Sequence, residues 1–247
     1  MSFRLVPVTT RTPRIYTKTG DDGTTGLLFG GRIGKDSSVI HITGTVDEAQ
    51  AAMGMARAEA EPGSELDELL TGLERELYVL MAEVTTAPSN RGKLSPGTTL
   101  VTPEMVDALE AHIDDLKDRY AMPTDFVVPG ANRVSATLEV ARTVVRRAER
   151  LVVASPVEGS QVGPYLNRLS DLLWAMARWT EGDHHLLART RPRRSEREAS
   201  GAVPDREDPD PDGALDVGGT ARPEPPDDRE EQDDREEQDD REEQGAD

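Results

Sequence analysis

The stretch Asn132–Val153, NRVSATLEVARTVVRRAERLVV, decides what kind of molecule this is. Leu138, Ala141, Val145, Ala148 and Val152 recur at three- and four-residue intervals, which places them on one face of an α-helix. Arg142, Arg146 and Glu149 follow the same periodicity on another face, with Arg147 and Arg150 beside them. Asn132 is suited to the N-cap, because its amide oxygen can accept a bond from a free helical N–H. An apolar stripe of this length needs a partner surface, so the segment predicts one helix of a larger helical assembly.

The neighbouring sequence supplies the partners. In TVDEAQAAMGMARAEA, Val46, Ala49, Met53 and Ala56 fall at helical spacing and predict a first helix over about 45–60. EPGS breaks it, and Ser64 caps a second helix whose Leu66, Leu69, Leu70, Leu73, Leu77, Leu80, Met81 and Val84 form a broad stripe to about residue 87. Thr102-Pro103 has the form of a cap and first helical position, followed by Val106, Leu109, Ile113 and Leu116 on one side. A last helix is expected in PYLNRLSDLLWAMARWT, from about Pro164 to Thr180. SNRGKLSPGTTLV and AMPTDFVVPGAN read as connections. Strand signals are nearly absent, and the short alternation in SSVIHITG predicts at most a minor extended piece. The expected fold is all-α: an antiparallel bundle of about five helices with a loop-rich N-terminal arm.

The net charge of −19 misleads if read as a property of the whole chain. From Gly201 to Asp247 there are 20 Asp and Glu against 5 Arg, which is −15 and leaves only −4 on residues 1–200. That acidic end repeats DDREEQ three times, at 227–232, 233–238 and 239–244. It has too little apolar surface to offset the entropy of ordering, so it is expected to be a disordered, solvated tail. The expected organisation is a flexible N-terminus over 1–13, a globular domain over 14–187, and the tail over 188–247.

Composition removes several chemistries. With no cysteine there is no disulfide framework, thiolate nucleophile or Cys-ligated zinc. His41, His112, His184 and His185 show no zinc spacing. No run approaches the roughly 18 apolar residues of a membrane span, and MSFRLVPVTTRTPR lacks the apolar region of a secretion signal. The expectation is a cytoplasmic protein without a membrane or nucleic-acid partner.

What remains for chemistry lies in two places. Arginines stacked along the 132–153 helix repel one another unless an anion or a partner carboxylate neutralises them, although a solvated surface is the plainer alternative. Asn167 and Asp171 stand four residues apart on the last helix, with Arg168 between, and suit either a polar ligand or a tie between helices. Asp47, in the first turn of the predicted first helix, is placed to satisfy the helix dipole. The second place is Thr17–Gly26, TKTGDDGTTG. It is not a Walker A loop, which needs lysine directly after its last glycine, nor does Asp21-Asp22-Gly23 have the ligand spacing of an EF-hand. It is either a β-turn with solvent-facing threonines or a cradle offering N–H groups, hydroxyls and an ammonium to phosphate oxygens.

Four blocks in this order resemble the PduO-type ATP:cob(I)alamin adenosyltransferases: RIYTKTGDDGTTG, GTVDEAQAAMGMARA, FVVPGANRVSATLEVARTVVRRAER and YLNRLSDLLWAMARW, together spanning about residues 14–182. The resemblance implies a homotrimer of helical bundles with active sites between subunits. It implies transfer of the 5′-deoxyadenosyl group of ATP to the cobalt of reduced cobalamin, with release of triphosphate. Cob(I)alamin, formed from cob(II)alamin, is itself the nucleophile, so no Ser/His machinery is required. Mg²⁺ would come with ATP, without a dedicated set of protein side chains. A flavoprotein reductase and an adenosylcobalamin-dependent mutase are the implied partners.

Carried onto this sequence, the family pattern assigns Thr17, Lys18, Thr19, Gly20, Thr24, Thr25 and Lys35 to ATP, together with Arg142 and Arg147, with Arg146 as the alternative source of charge, and makes Asp47, Arg142, Arg146 and Phe126 the catalytic set. It pairs Asp47 with Arg142, gives Glu149 the task of holding the arginine cluster, and places Asn167 on the nucleotide. It puts Phe126 against the lower face of the corrin, where an apolar ring excludes an axial ligand and makes Co(II) easier to reduce, with Asp171 also on the cobalamin side. From the residue alone, Phe126 would be a core aromatic of a connection. The chain departs from the family at Ala49 and Gln50, at Ala131, and at Glu139, where the family often has histidine. Two other readings stand beside the enzyme: a protein that binds or delivers adenosylcobalamin with little catalysis, and a structural bundle that interacts through its tail.

Overall fold

A computed structural model describes residues 15–183 and 185–188. Five helices carry the fold: α1 Ser38–Ala58, α2 Glu65–Val84, α3 Pro103–Arg119, α4 Arg133–Ala154 and α5 Val162–Glu181. The caps read from sequence are in place. Ser64 accepts from the Asp67 N–H, Thr102 from Met105, and Asn132 forms a reciprocal capping box with Ser135. The Asn132 amide also donates to the Thr180 carbonyl at 2.8 Å, tying the start of α4 to the end of α5.

Short connections (residues 59–64 between α1 and α2, 155–161 between α4 and α5) make sequence neighbours antiparallel. α4 lies between α1 and α5; α3 packs on α5 and α2 on α1. The core holds the expected stripes: Val46 and Met53 of α1, Leu70, Leu77 and Leu80 of α2, Leu109 of α3, Leu138 and Val145 of α4, Leu166, Leu169 and Leu173 of α5. Each fully buried large apolar side chain contributes about 1.5–3 kcal/mol, so the bundle gives a firm frame for polar groups on its outer faces.

The N-terminal half of α1 differs from expectation. SSVIHITG is helix rather than an extended piece, and α1 starts at Ser38, not near residue 45. The β-branched residues that suggested a strand are overruled by packing, since Ile42, Val46, Ala49 and Met53 form one buried line. Thr43 and Thr45 turn their hydroxyls onto the carbonyls of Val39 and His41, both at 2.8 Å. As a result Asp47 sits well inside α1, where the dipole of a first turn no longer accounts for it.

The arm is more ordered than a loop. Thr24–Gly26 (β1) and Arg32–Gly34 (β2) form a small antiparallel hairpin with Thr25 opposite Ile33. Its turn contains Phe29, Gly30 and Gly31, all at positive φ, a conformation that the two glycines adopt without strain. The hairpin docks at the end of α2, with Leu28 N–H on the Thr85 carbonyl at 2.9 Å. Beyond α2, a short 3-10 turn at Pro88–Lys93 interrupts the expected loop. Glu83, 1% exposed, secures this end of the bundle: it accepts from Arg91 at 2.8 Å, the Val101 N–H at 2.8 Å and the Ser160 hydroxyl at 2.6 Å. Residues 1–13 and the DDREEQ repeats lie outside the described residues.

Candidate functional site

Two of the α4 arginines are paired with carboxylates. Arg142 Nε donates to Glu139 Oε2 at 2.7 Å, one helical turn back. Arg147 reaches across to Glu48 of α1. The expected pairing of Arg142 with Asp47 is absent within the chain: Asp47 is exposed, and the α1 carboxylate that meets α4 is its neighbour Glu48. One turn further along, Glu149 Oε1 accepts from the Asn167 amide at 2.9 Å, and Asn167 Oδ1 accepts from Arg168 at 2.5 Å. Arg168 also binds Glu110 of α3 at 2.7 Å and approaches Asp171 at 3.9 Å. Partial desolvation raises the half-exposed Asp171 carboxyl above its ordinary value; Arg168 and Arg146 oppose the shift and Glu149 adds to it. Arg146, Glu149, Asn167 and Asp171 therefore share one electrostatic neighbourhood on the α4–α5 face.

Behind this face runs a buried line of charge. Glu139 contacts Arg178 of α5 through its other oxygen at 3.2 Å; Arg178 pairs with Glu181 at 2.8 Å, and Glu181 meets His185 Nδ1 at 3.0 Å.

The arm is held from within. Lys35 Nζ donates to the Gly20 carbonyl at 2.7 Å, and a Cβ on Gly20 would lie 3.0 Å from the Thr24 carbonyl oxygen, so a side chain there meets backbone. Thr17 and Thr19 share a hydroxyl contact of 2.8 Å. The Thr24 hydroxyl donates to Asp22 and accepts from Arg32, which also donates to the Thr19 carbonyl at 2.5 Å. The Thr24 N–H and hydroxyl bonds, with Arg32 as a smaller cause, hold the exposed Asp22 carboxyl below its ordinary value. Lys18 adopts positive φ, with its ammonium 5.8 Å from the Tyr16 ring. No hydrogen bond or ion pair among the described residues joins the arm to the α4 arginines.

Phe126 is 69% exposed and is not a core aromatic. Its strand-like segment is fixed from the other side: the Ala188 N–H donates to the Phe126 carbonyl and the Val128 N–H to the Leu186 carbonyl, each at 2.7 Å. The backbone of 126–128 is thus clamped while the ring faces solvent.

Residues 15–180 match the family model described as cobalamin adenosyltransferase. The chain belongs to the cobalamin adenosyltransferase family. Over 181 residues it is 39% identical to the corrinoid adenosyltransferase of Mycobacterium tuberculosis, covering 71% of this chain and 93% of that protein. Over 171 residues it is 39% identical to a corrinoid adenosyltransferase of Citrobacter freundii, covering 68% and 95%. Its fold matches a variant PduO-type ATP:corrinoid adenosyltransferase from Lactobacillus reuteri, solved in complex with cobalamin and ATP, with a TM-score of 0.63 and 27% identity over 71% of this chain and 97% of that one.

Several residues of this cobalamin adenosyltransferase family member carry contacts that the sequence reading did not single out. Arg32 pins the arm, Glu48 holds Arg147, and Arg178 is a guanidinium buried within α5. Arg178 had a signal in the sequence, being a lone charge in the apolar run Leu172–Trp179. Arg32 and Glu48 had none, because hairpin register and helix pairing decide their contacts. A concave groove between α2 and α3 contains Glu65, Glu68, Glu76 and His112 but none of the sequence-predicted site residues. Its acidic lining disfavours a polyphosphate. Among the described residues no group of three or more His, Asp or Glu side chains converges as a metal site, and no helix is long and apolar enough to cross a membrane.

Proposed function

We propose that this chain is an ATP:corrinoid adenosyltransferase, transferring the 5′-deoxyadenosyl group of ATP to the cobalt of reduced cobalamin and releasing triphosphate. The observation that carries the reading is the polar surface of α4, with Arg142 and Arg146 on successive turns of a rigid helix, Arg147 next to them on the α1 side and Asn167 of α5 alongside, in a member of this family. Among the described residues Arg142 is held through Nε only, which leaves its terminal nitrogens to meet an anion. The reduced metal of the substrate supplies the electron pair that forms the Co–C5′ bond as the C5′–O bond breaks, and negative charge collects on the departing phosphates. Preorganised guanidinia next to that charge are worth about 10²–10³ in rate each, and fixed approach of C5′ contributes further.

That no polar contact among the described residues links the arm to the α4 arginines supports a site assembled between copies, in a homotrimer. In that arrangement Thr17, Lys18, Thr19, Gly20, Thr24, Thr25 and Lys35 of one copy close on the triphosphate held by Arg142, Arg146 and Arg147 of another. Asn167 contacts the nucleotide, and Glu149, which binds Asn167, keeps it oriented. Asp47, exposed in its own chain, is available to Arg142 of a neighbouring copy. Mg²⁺ enters as the counter-ion of ATP. Exposed Phe126, on its clamped segment, and Asp171 take the corrin. A flavoprotein supplies the reducing electron to cob(II)alamin, an adenosylcobalamin-dependent mutase receives the product, and the setting is cytoplasmic.

Purified protein given ATP, Mg²⁺ and chemically reduced cobalamin without oxygen should form a light-sensitive Co–C product and one triphosphate per turnover. Appearance of ADP and phosphate alone would refute the transfer; corrin binding without triphosphate release would assign a carrier role instead.

A further inference from the structure

Glu139 is 6% exposed, yet both of its oxygens are engaged by guanidinia from different helices: Oε2 by Arg142 Nε at 2.7 Å, Oε1 by Arg178 Nη2 at 3.2 Å. Arg178, 2% exposed, is in turn anchored by Glu181, three residues on along α5, at 2.8 Å. Charges alternate along this line, so each buried ion has an opposite neighbour, the condition under which burial of a charge is tolerated. Among the described residues the contact to Arg142 is made through Nε alone. A guanidinium held by that edge keeps its two terminal nitrogens free and in a fixed plane, the arrangement that suits forked recognition of phosphate. Arg147, held by exposed Glu48, has no such buried anchor.

We propose that Glu139 is a positioning residue for nucleotide binding and transfer: locked by Arg178, its carboxylate grips Arg142 by Nε and presents the rest of that guanidinium to the triphosphate chain. The inference rests on the reading of Arg142 as phosphate-facing. It gives the departure from histidine at this position a task within the site, and it makes the interior of α5 part of the phosphate-binding apparatus. A purely structural ion pair between α4 and α5 would instead alter stability and leave phosphate affinity untouched.

The test uses the full chain and two readouts: calorimetric binding of inorganic triphosphate with Mg²⁺, and kcat/KM for ATP with reduced cobalamin. Glu139→Gln should weaken triphosphate binding and lower kcat/KM for ATP by about tenfold each, the scale of a charge-assisted contact, with KM for cobalamin within about twofold of the parent. In an Arg142→Ala background the same change should have no further effect on either readout. Glu139→Asp, which keeps the charge but shortens the reach, should give an intermediate loss and serves if the glutamine variant does not fold. An equal loss in both backgrounds, or lowered thermal stability with unchanged triphosphate affinity, overturns the positioning role. Arg142→Ala that binds triphosphate as the parent does overturns the phosphate-facing reading and this proposal with it. Arg142→Ala that loses affinity beside silent Glu139 variants overturns the positioning role alone.

Discussion

On the outer surface of α4, candidate side chains project from helices fixed by core packing: Arg142, Glu149 and Asn167 are each held by another side chain on the α4–α5 side, and Arg147 by Glu48 of α1. In the N-terminal arm the candidates sit on a hairpin of three-residue strands and its turns, largely exposed and held by bonds inside the arm itself. The two aspartates express the contrast: half-exposed Asp171 on the face is pushed up by partial desolvation, whereas Asp22 in the arm is held down by bonds from Thr24. A prebuilt face can stabilise charge in the transition state without reorganising. An exposed arm loses conformational freedom when it closes, so its binding energy appears mainly as substrate affinity.

That division can be broken by mutation. The largest effect is expected at Arg142→Ala, which should lower kcat by about 100-fold or more while helical signal and oligomer mass stay as in the parent; turnover near the parent value would remove the face from the chemistry. Lys18→Ala should raise KM for ATP by about tenfold and change kcat far less, as loss of uniform binding does; a kcat loss equal to that of Arg142→Ala would erase the distinction between the regions. Arg32→Ala, which unpins the hairpin from Thr19 and Thr24, should raise KM for ATP by about threefold at unchanged melting temperature, since ordering the arm then falls to the ligand. Lowered thermal stability would show that the arm is part of the bundle's core stability.

The smallest effect is in pH-dependent stability. Asp171, with its folded pKa raised, contributes stability below 3.8 that is lost as pH rises through the raised value. Asp22, with its folded pKa lowered, contributes stability above 3.8 that is lost as pH falls through the lowered value. Relative to the parent, Asp171→Asn should therefore gain melting temperature as pH rises from 3 to 7 and Asp22→Asn should lose it. Parallel slopes for the two variants would contradict the contrast.

The bundle was legible because its information is periodic and local. Asn132, Ser64 and Thr102 mark helix starts, and the leucine stripes mark buried faces. The start of α1 was misread because Val39, Ile40 and Ile42 carry strand propensity that only the packed core overrides. The arginine face could be read from i and i+4 spacing, but its partners could not. Glu48 in place of Asp47, Glu139 between two guanidinia, and the strand-like pairing of 126–128 with 185–188 all depend on how distant segments meet. Exposure of Phe126 is the same kind of fact: an aromatic in a connection looks like core until its surroundings are known.

The central claim is that arm and face act together across two copies of the chain. It is tested most directly by co-expressing the Lys18→Ala and Arg142→Ala chains and measuring adenosylcobalamin formation at ATP well below KM. If subunits mix at random and each site takes its arm from one copy and its face from another, about a quarter of sites regain both groups, and turnover should rise to roughly that share of the parent's. Turnover no higher than the average of the two separate variants would contradict the account.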